Sequence, residues 1–259
     1  MTTLKIEQKN SDILMVTLHR PAVRNAINSQ MMQELRDLWQ MLAVNTQKSR
    51  CVILTGSAPA FCAGADLKER HGLPLATWQA HHIVFEQAMR AMLDCPVPII
   101  AAVNGAAMGG GLELVLAADF AYAAENATFA QPEVKIGLMP GAMGTQQLPR
   151  AVGLRRAKEL CFTARPFSAQ EALAWGIINK ICVPDDLESA VWDTAMAISA
   201  NAPLAIQHSK KALNLSQQVD VTSGFQYELA AYNGLLPTKD REEGIRAFNE
   251  KRKAKFLGM

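Results

Sequence analysis

The sequence predicts an α/β fold, a mostly parallel sheet followed by a helical C-terminal part, and three observations predict it. Short apolar runs alternate with amphipathic helical stretches up to about residue 144, as βαβ units require. From Gly144 onward the pattern reads as helix throughout. The 259 residues are 49% apolar, enough for one large core and too much for a disordered chain. With only 6% aromatics, that core must be built from Ala, Leu, Ile, Val and the 12 methionines.

The N-terminus enters a strand-like segment within a few residues, with no basic-then-apolar leader. Residues 14–18 are apolar at nearly every position, hence a buried strand. Pro21 breaks the chain, and Ser29 is the expected N-cap of a helix whose inner stripe is Met31, Leu35, Leu38, Trp39 and Leu42. Residues 51–54 form a second strand, followed by the small-residue turn Phe61-Cys62-Ala63-Gly64-Ala65-Asp66. A helix over 78–93 is stopped by Pro96 and Pro98. Ile99–Val103 is the next strand, Gly109-Gly110-Gly111 opens a helix carrying Glu113, and 120–123 is a strand again. Ser168-Ala169-Gln170-Glu171 and Asp185-Asp186-Leu187-Glu188 have the form of capping boxes, ahead of helices at 187–200, 204–215, 225–235 and from 239. The expected division is a catalytic core over 1–190 and a helical oligomerisation region over 191–259.

Composition excludes several classes. The balance of 26 basic and 24 acidic residues leaves no general footprint for nucleic acid. Residues 239–259 hold seven basic and four acidic side chains, leaving 19 and 20 in the first 238, so a local basic tail suits phosphate groups. Five scattered cysteines without a CxxC fit a reducing compartment, so a cytoplasmic location is expected. The histidines offer no HExxH, and no metal site is expected. The apolar stretch 96–118 contains Pro96, Pro98, Asn104 and Glu113, which fits a buried strand, turn and helix better than a membrane span. No GxGxxG or Walker A sequence occurs.

Glu113 is the first candidate for chemistry, because apolar residues surround it on every face of its helix. A buried carboxylate is costly unless paired, so it is either half of a structural ion pair or a functional group. The glycines before it strip side chains from the first helical turn and leave N–H groups able to meet a carbonyl or oxyanion. Glu133, in Gln131-Pro132-Glu133, is the second carboxylate; alone it reads as an ordinary loop residue pairing with Lys135. Together the two suit acid–base work on one water or one α-proton. The turn over residues 61–66 and the triple glycine can each present one N–H to the same oxygen. Cys62 reads as a buried filler rather than a nucleophile, with no base near it in sequence.

These motifs together resemble the crotonase (enoyl-CoA hydratase/isomerase) superfamily. The resemblance rests on Arg20-Pro21 with Asn25-Ala26, on residues 61–68, on Ala102 through Leu114 with Ala118-Asp119, on Phe129-Ala130-Gln131-Pro132-Glu133, on Gly137-Leu138-Met139-Pro140-Gly141, and on Glu243-Gly244-Ile245-Arg246-Ala247-Phe248 with Lys251-Arg252. It implies a crotonase-like spiral of ββα/βαβ units with a helical C-terminal trimerisation region, a homotrimer or dimer of trimers, and an acyl-CoA substrate. It implies no cofactor, coenzyme A being part of the substrate; the charge balance and hydropathy read above leave neither nucleic acid nor membrane as an expected partner. By position, Ala65 and Gly110 would form the oxyanion hole; Ala63, Asp66, Leu67 and Lys68 would lie along the CoA; Gly141 would border the catalytic water. Glutamates at both catalytic positions are the hydratase pattern, with Glu113 as base on water and Glu133 as acid toward the α-carbon. Tail helices near the CoA would set the basic residues against its phosphates. The sequence departs from the family at Met143 and Gln147, and at Ala254. Other readings stay open: an acyl-CoA isomerase, a hydratase of branched or functionalised acyl-CoA, or an RNA-binding or structural homologue, against which the helix over 29–45 is net acidic around Glu34, Arg36 and Asp37. The acyl pocket wall is expected near residues 71–78.

Overall fold

The computed structural model describes residues 1–46 and 49–259. Strand β1 (Leu4–Gln8) pairs antiparallel with β2 (Ile13–Leu18), and helix α1 (Ser29–Val44) leads to β3 (Cys51–Gly56), parallel to β2. The short α2 (Leu67–Arg70) and long α3 (Leu75–Leu93) cross to β4 (Ile99–Val103). Strand β5 (Ala107–Met108), helix α4 (Gly110–Ala117), β6 (Phe120–Ala124) and β7 (Thr128–Ala130) follow. Then come α5 (Gly144–Val152), α6 (Leu154–Thr163), β8 (Phe167–Ser168), α7 (Ala169–Ala174) and β9 (Lys180–Cys182). The chain ends in α8 (Leu187–Ser199), α9 (Pro203–Ser216), α10 (Val221–Leu235) and α11 (Lys239–Asn249).

Two sheets result. The larger has strand order β1-β2-β3-β4-β6-β9, all parallel except β1; the smaller is β5-β7-β8. Successive side chains of a strand point to opposite faces, and the core follows that alternation. Leu14, Val16, Val52, Leu54 and Ala101 pack with α1 and α3 on one face. Ile13, Met15, Ile53, Ile100 and Ala102 pack with Leu187, Val191 and Ala195 of α8 on the other. The division expected between 190 and 191 lies within α8. Helix α9 is tied to the sheet by Lys210, whose Nζ donates to Asp119 Oδ2 at 2.8 Å and to the Val97 carbonyl at 2.9 Å. Helix α10 buries no side chain; Val221, Phe225, Leu229 and Tyr232 all stand exposed along it.

Three expectations are corrected. The N-cap of α1 is Asn28, whose side chain accepts from Met31 N, because Ser29 already has helical geometry. The segment after Gly144 is not helix throughout: β8 and β9 are two and three residues long, too short to show an alternation. Ser168 and Glu171 form the expected capping box, but Asp185 sits in a 3-10 turn and α8 starts without a side-chain cap. Among the described residues no helix is long and apolar enough to cross a membrane. The stretch 96–118 resolves into β4, β5 and α4.

Candidate active site

The site grows from two neighbouring parallel strands. Ala107 and Met108 of β5 pair with Phe129 and Ala130 of β7, and each strand runs straight into a glutamate-bearing turn. Beyond β5 comes α4 with Glu113; beyond β7 comes a 3-10 turn starting at Glu133. Ligands of such sheets sit outside the strands' carboxyl ends. Gly109 (φ +51°) makes the close approach possible: a Cβ there would lie 2.8 Å from Glu133 Oε1.

Glu113 is 3% exposed, and no Arg or Lys pairs with it among the described residues. Its Oε1 instead accepts two backbone N–H bonds, from Ala142 and Gly144, each 2.8 Å. Gly144 must be a glycine for this, since a Cβ would stand 2.7 Å from that same oxygen. Burial dominates these bonds and, with the field of Glu133, pushes the Glu113 carboxyl up to about 7. Glu133 Oε1 accepts from Gln131 Nε2 at 2.9 Å, while Oε2 is buried without a hydrogen-bond partner. Burial raises its pKa as well. Two protonatable carboxylates, each with one oxygen fixed by the protein, therefore lie near enough for the charge of Glu133 to act on Glu113.

The second wall is the turn after β3. Asn25 fixes it: its Nδ2 donates to the carbonyls of Ser57 and Ala60, and its Oδ1 accepts from Arg20 N. Ile27 and Ala65 form a bridge, as do Cys62 and Ala107, so this turn is stitched to the β5–α4 junction. A Cβ on Gly64 (φ +89°) would lie 3.6 Å from Gly110 N, which puts the Ala65 and Gly110 peptides side by side. Neither N–H donates to another described residue. A Cβ on Gly110 would lie 3.1 Å from Cζ of Phe85 on α3, and one on Gly141 would lie 2.9 Å from Cε1 of His82.

The remaining expected contacts divide. Asp66 has its carboxylate committed to the protein: Oδ2 meets Arg20 at 2.8 Å, and Oδ1 caps α2 by accepting from Lys68 N and Glu69 N. Those bonds hold its pKa below the ordinary range despite burial. Ala63, Leu67 and Lys68 are exposed on the rim. The Cys62 thiol donates to the Asn25 carbonyl and is pushed up to about 12 by burial, as a filler requires. A cleft of about 360 Å³ opens beside the site between Leu67, His71, Trp78, Ile136 and Leu138, where the pocket wall is expected. The donors Ala142 and Gly144, the brace Gln131 and the α3 wall were not evident from sequence; only the Pro140-Gly141 turn marked that region.

Two carboxylates and a pair of unengaged N–H groups at strand ends, on a crotonase fold, define an enzyme. The chain belongs to the enoyl-CoA hydratase/isomerase family, whose model matches residues 8–258. It is 40% identical to the enoyl-CoA isomerase/hydratase fer4 of Mycosarcoma maydis over 94% of this chain and 92% of that one. It is 37% identical to the short-chain-enoyl-CoA hydratase of Clostridium acetobutylicum over 96% and 95% of the two chains. The crystal structure of an enoyl-CoA hydratase from Bacillus anthracis superposes with a TM-score of 0.96 at 38% identity, covering 99% of this chain and all of that one.

Proposed function

We propose that this enzyme adds water syn across the double bond of a trans-2-enoyl-CoA to give the 3-hydroxyacyl-CoA. The observation that carries the reading is the pair Glu113 and Glu133, brought together at the ends of β5 and β7 with one oxygen of each held by the protein. In this reading both carboxylates act from one side of the bound substrate, so water and proton arrive on one face of the alkene. A carboxyl near 7 is well matched to take a proton from water at neutral pH. Glu133, its pKa also raised, delivers a proton to the α-carbon. The N–H groups of Ala65 and Gly110 hold the thioester oxygen as enolate charge develops, worth about 3 kcal/mol per donor.

In this reading Ala63, Leu67 and Lys68 line the CoA path, Asp66 shapes it through its cap, and Gly141 borders the water. The enzyme needs no cofactor, works in the cytoplasm and assembles as a homotrimer or dimer of trimers through the apolar face of α10. The tail's arginines are largely self-paired, Arg246 and Arg252 on Glu243 at 2.6 Å. That leaves Lys251, Lys253 and Lys255 to meet phosphates.

The test is loss of enoyl absorbance with crotonyl-CoA, with product identification to separate hydration from double-bond migration. Hydration abolished by Glu113→Gln and by Glu133→Gln supports the mechanism; undiminished rates in either variant overturn it.

A further inference from the structure

Arg70 closes α2 and is half-buried, yet its guanidinium makes no hydrogen bond and no ion pair with any described residue. The acid next to it is otherwise engaged: Glu69 accepts from Ser29 N at 2.9 Å and from Ser29 Oγ at 3.2 Å. Instead the Arg70 head lies over two aromatic rings, 5.1 Å from the Trp78 centroid and 5.9 Å from that of Phe85. Such stacking occupies the face of a guanidinium and leaves its N–H donors free in the plane. A half-buried cation held in this way has its orientation fixed and its N–H donors uncommitted to the described protein groups.

Its location gives this meaning. Arg70 lines the cleft of about 360 Å³, together with Leu67, His71, Trp78, Ile136 and Leu138. Phe85, one of its two rings, has its Cζ 3.1 Å from where a Gly110 Cβ would be. The guanidinium is thus one aromatic ring away from a proposed thioester-carbonyl donor. Ile136 and Leu138 follow Glu133 by three and five residues, so the opposite wall of the cleft continues from the other catalytic carboxylate. Burial lowers the Arg70 pKa from its ordinary value, with Glu69 opposing; the group stays cationic throughout the neutral range.

We infer that Arg70 is a specificity residue that binds an anionic group at the far end of the acyl chain, so that the preferred substrate is an enoyl-CoA bearing a distal carboxylate. A carboxylate accepts two parallel N–H bonds from a guanidinium in the geometry left open here. The inference rests on the enoyl-CoA reading of the site and sharpens its substrate class. The same chemistry could serve a phosphate of CoA, but the apolar lining of Trp78, Ile136 and Leu138 favours a chain that carries its charge only at the tip.

The test uses binding of unreactive saturated analogues, measured by calorimetry on the full-length protein: glutaryl-CoA, with a terminal carboxylate, against butyryl-CoA, without one. Wild type is expected to bind glutaryl-CoA at least tenfold more tightly. Arg70→Gln should weaken glutaryl-CoA by about 10–100-fold, the range for a charge-assisted bond, and leave butyryl-CoA within about twofold. Retained butyryl-CoA binding also shows that the variant is folded. Arg70→Lys should recover part of the preference. Equal weakening of both ligands would assign Arg70 to CoA phosphate and overturn the inference, as would equal affinities in the wild type. Tight butyryl-CoA binding without preference overturns the inference alone, whereas binding of neither ligand overturns the enoyl-CoA reading with it.

Discussion

Glu113→Gln should make the protein more stable in alkaline solution while disabling it. In the unfolded chain this carboxyl titrates at 4.5, and in the folded one at about 7, chiefly because of burial. The native state thus keeps a proton that the unfolded state has released. Relative to an unperturbed carboxyl, stability is fully present below about pH 4.5 and is lost as pH rises through about 7. Between pH 5 and pH 8 that difference costs about 2–3 kcal/mol at 1.36 kcal/mol per pKa unit. A glutamine keeps the oxygen that accepts from Ala142 and Gly144 and never ionises. Its amide N–H₂ enters a site shaped for an oxygen, at a cost of about 1 kcal/mol at every pH. Urea unfolding of both proteins at pH 5 and pH 8, at one protein concentration, isolates the pH-dependent part. The wild type should lose about 2 kcal/mol more than the variant over that interval, the raised Glu133 accounting for what both lose. Equal losses would refute the claim that Glu113 is desolvated in the resting enzyme.

Other consequences are as direct. In the hydration direction kcat/KM should rise with pH through about 7 as Glu113 ionises, and Glu113→Gln should flatten that limb with a loss of about 10²–10⁴-fold; a steady-state pH profile reads both. Gly144→Ala places a methyl group 2.7 Å from Glu113 Oε1 and 2.8 Å from Pro140 Cβ. It should lower kcat by at least about tenfold and destabilise by about 1–3 kcal/mol, seen in turnover and denaturant midpoint. Met143 stands in the left-handed region at φ +75° and is 37% exposed. Met143→Gly should therefore stabilise by about 1 kcal/mol, since the relieved backbone strain exceeds the small packing loss. On the proposed assembly through α10, Phe225→Asp on its exposed face should shift the protein toward monomer in light scattering while leaving monomer helicity unchanged.

Long periodic elements were legible from sequence, and what depends on a few residues was not. Residues Ile99–Val103 appear as expected because an all-apolar run between prolines and Asn104 admits little else. Helices α1 and α3 were legible from their periodicity; α3 starts three residues earlier than expected and ends at Leu93 as expected. Strands β8 and β9 escaped because their two and three residues carry no period. At the site, Glu113 stood out because a carboxylate among apolar residues demands a reason. Glu133 did so only beside it. The groups that hold Glu113 are peptide N–H donors, common to every non-proline residue, so nothing in the side chains of Ala142 or Gly144 could announce them. Nothing in the sequence singles out Arg70, because its partners Trp78 and Phe85 lie on a different element.

That division between main chain and side chain bears on how such a protein changes over generations. The Ala65 and Gly110 donors and the two N–H groups on Glu113 belong to the polypeptide itself. At Ala65 and Ala142 only proline removes the donor outright; Gly110 and Gly144 are further guarded by the space a Cβ would need. The carboxylates are the opposite: a single codon change replaces either one and leaves the cradle around it standing. On the proposed mechanism, a lineage can therefore keep its grip on an oxygen while exchanging the groups that move protons. New reactions become accessible by one-residue steps that need not first rebuild the scaffold.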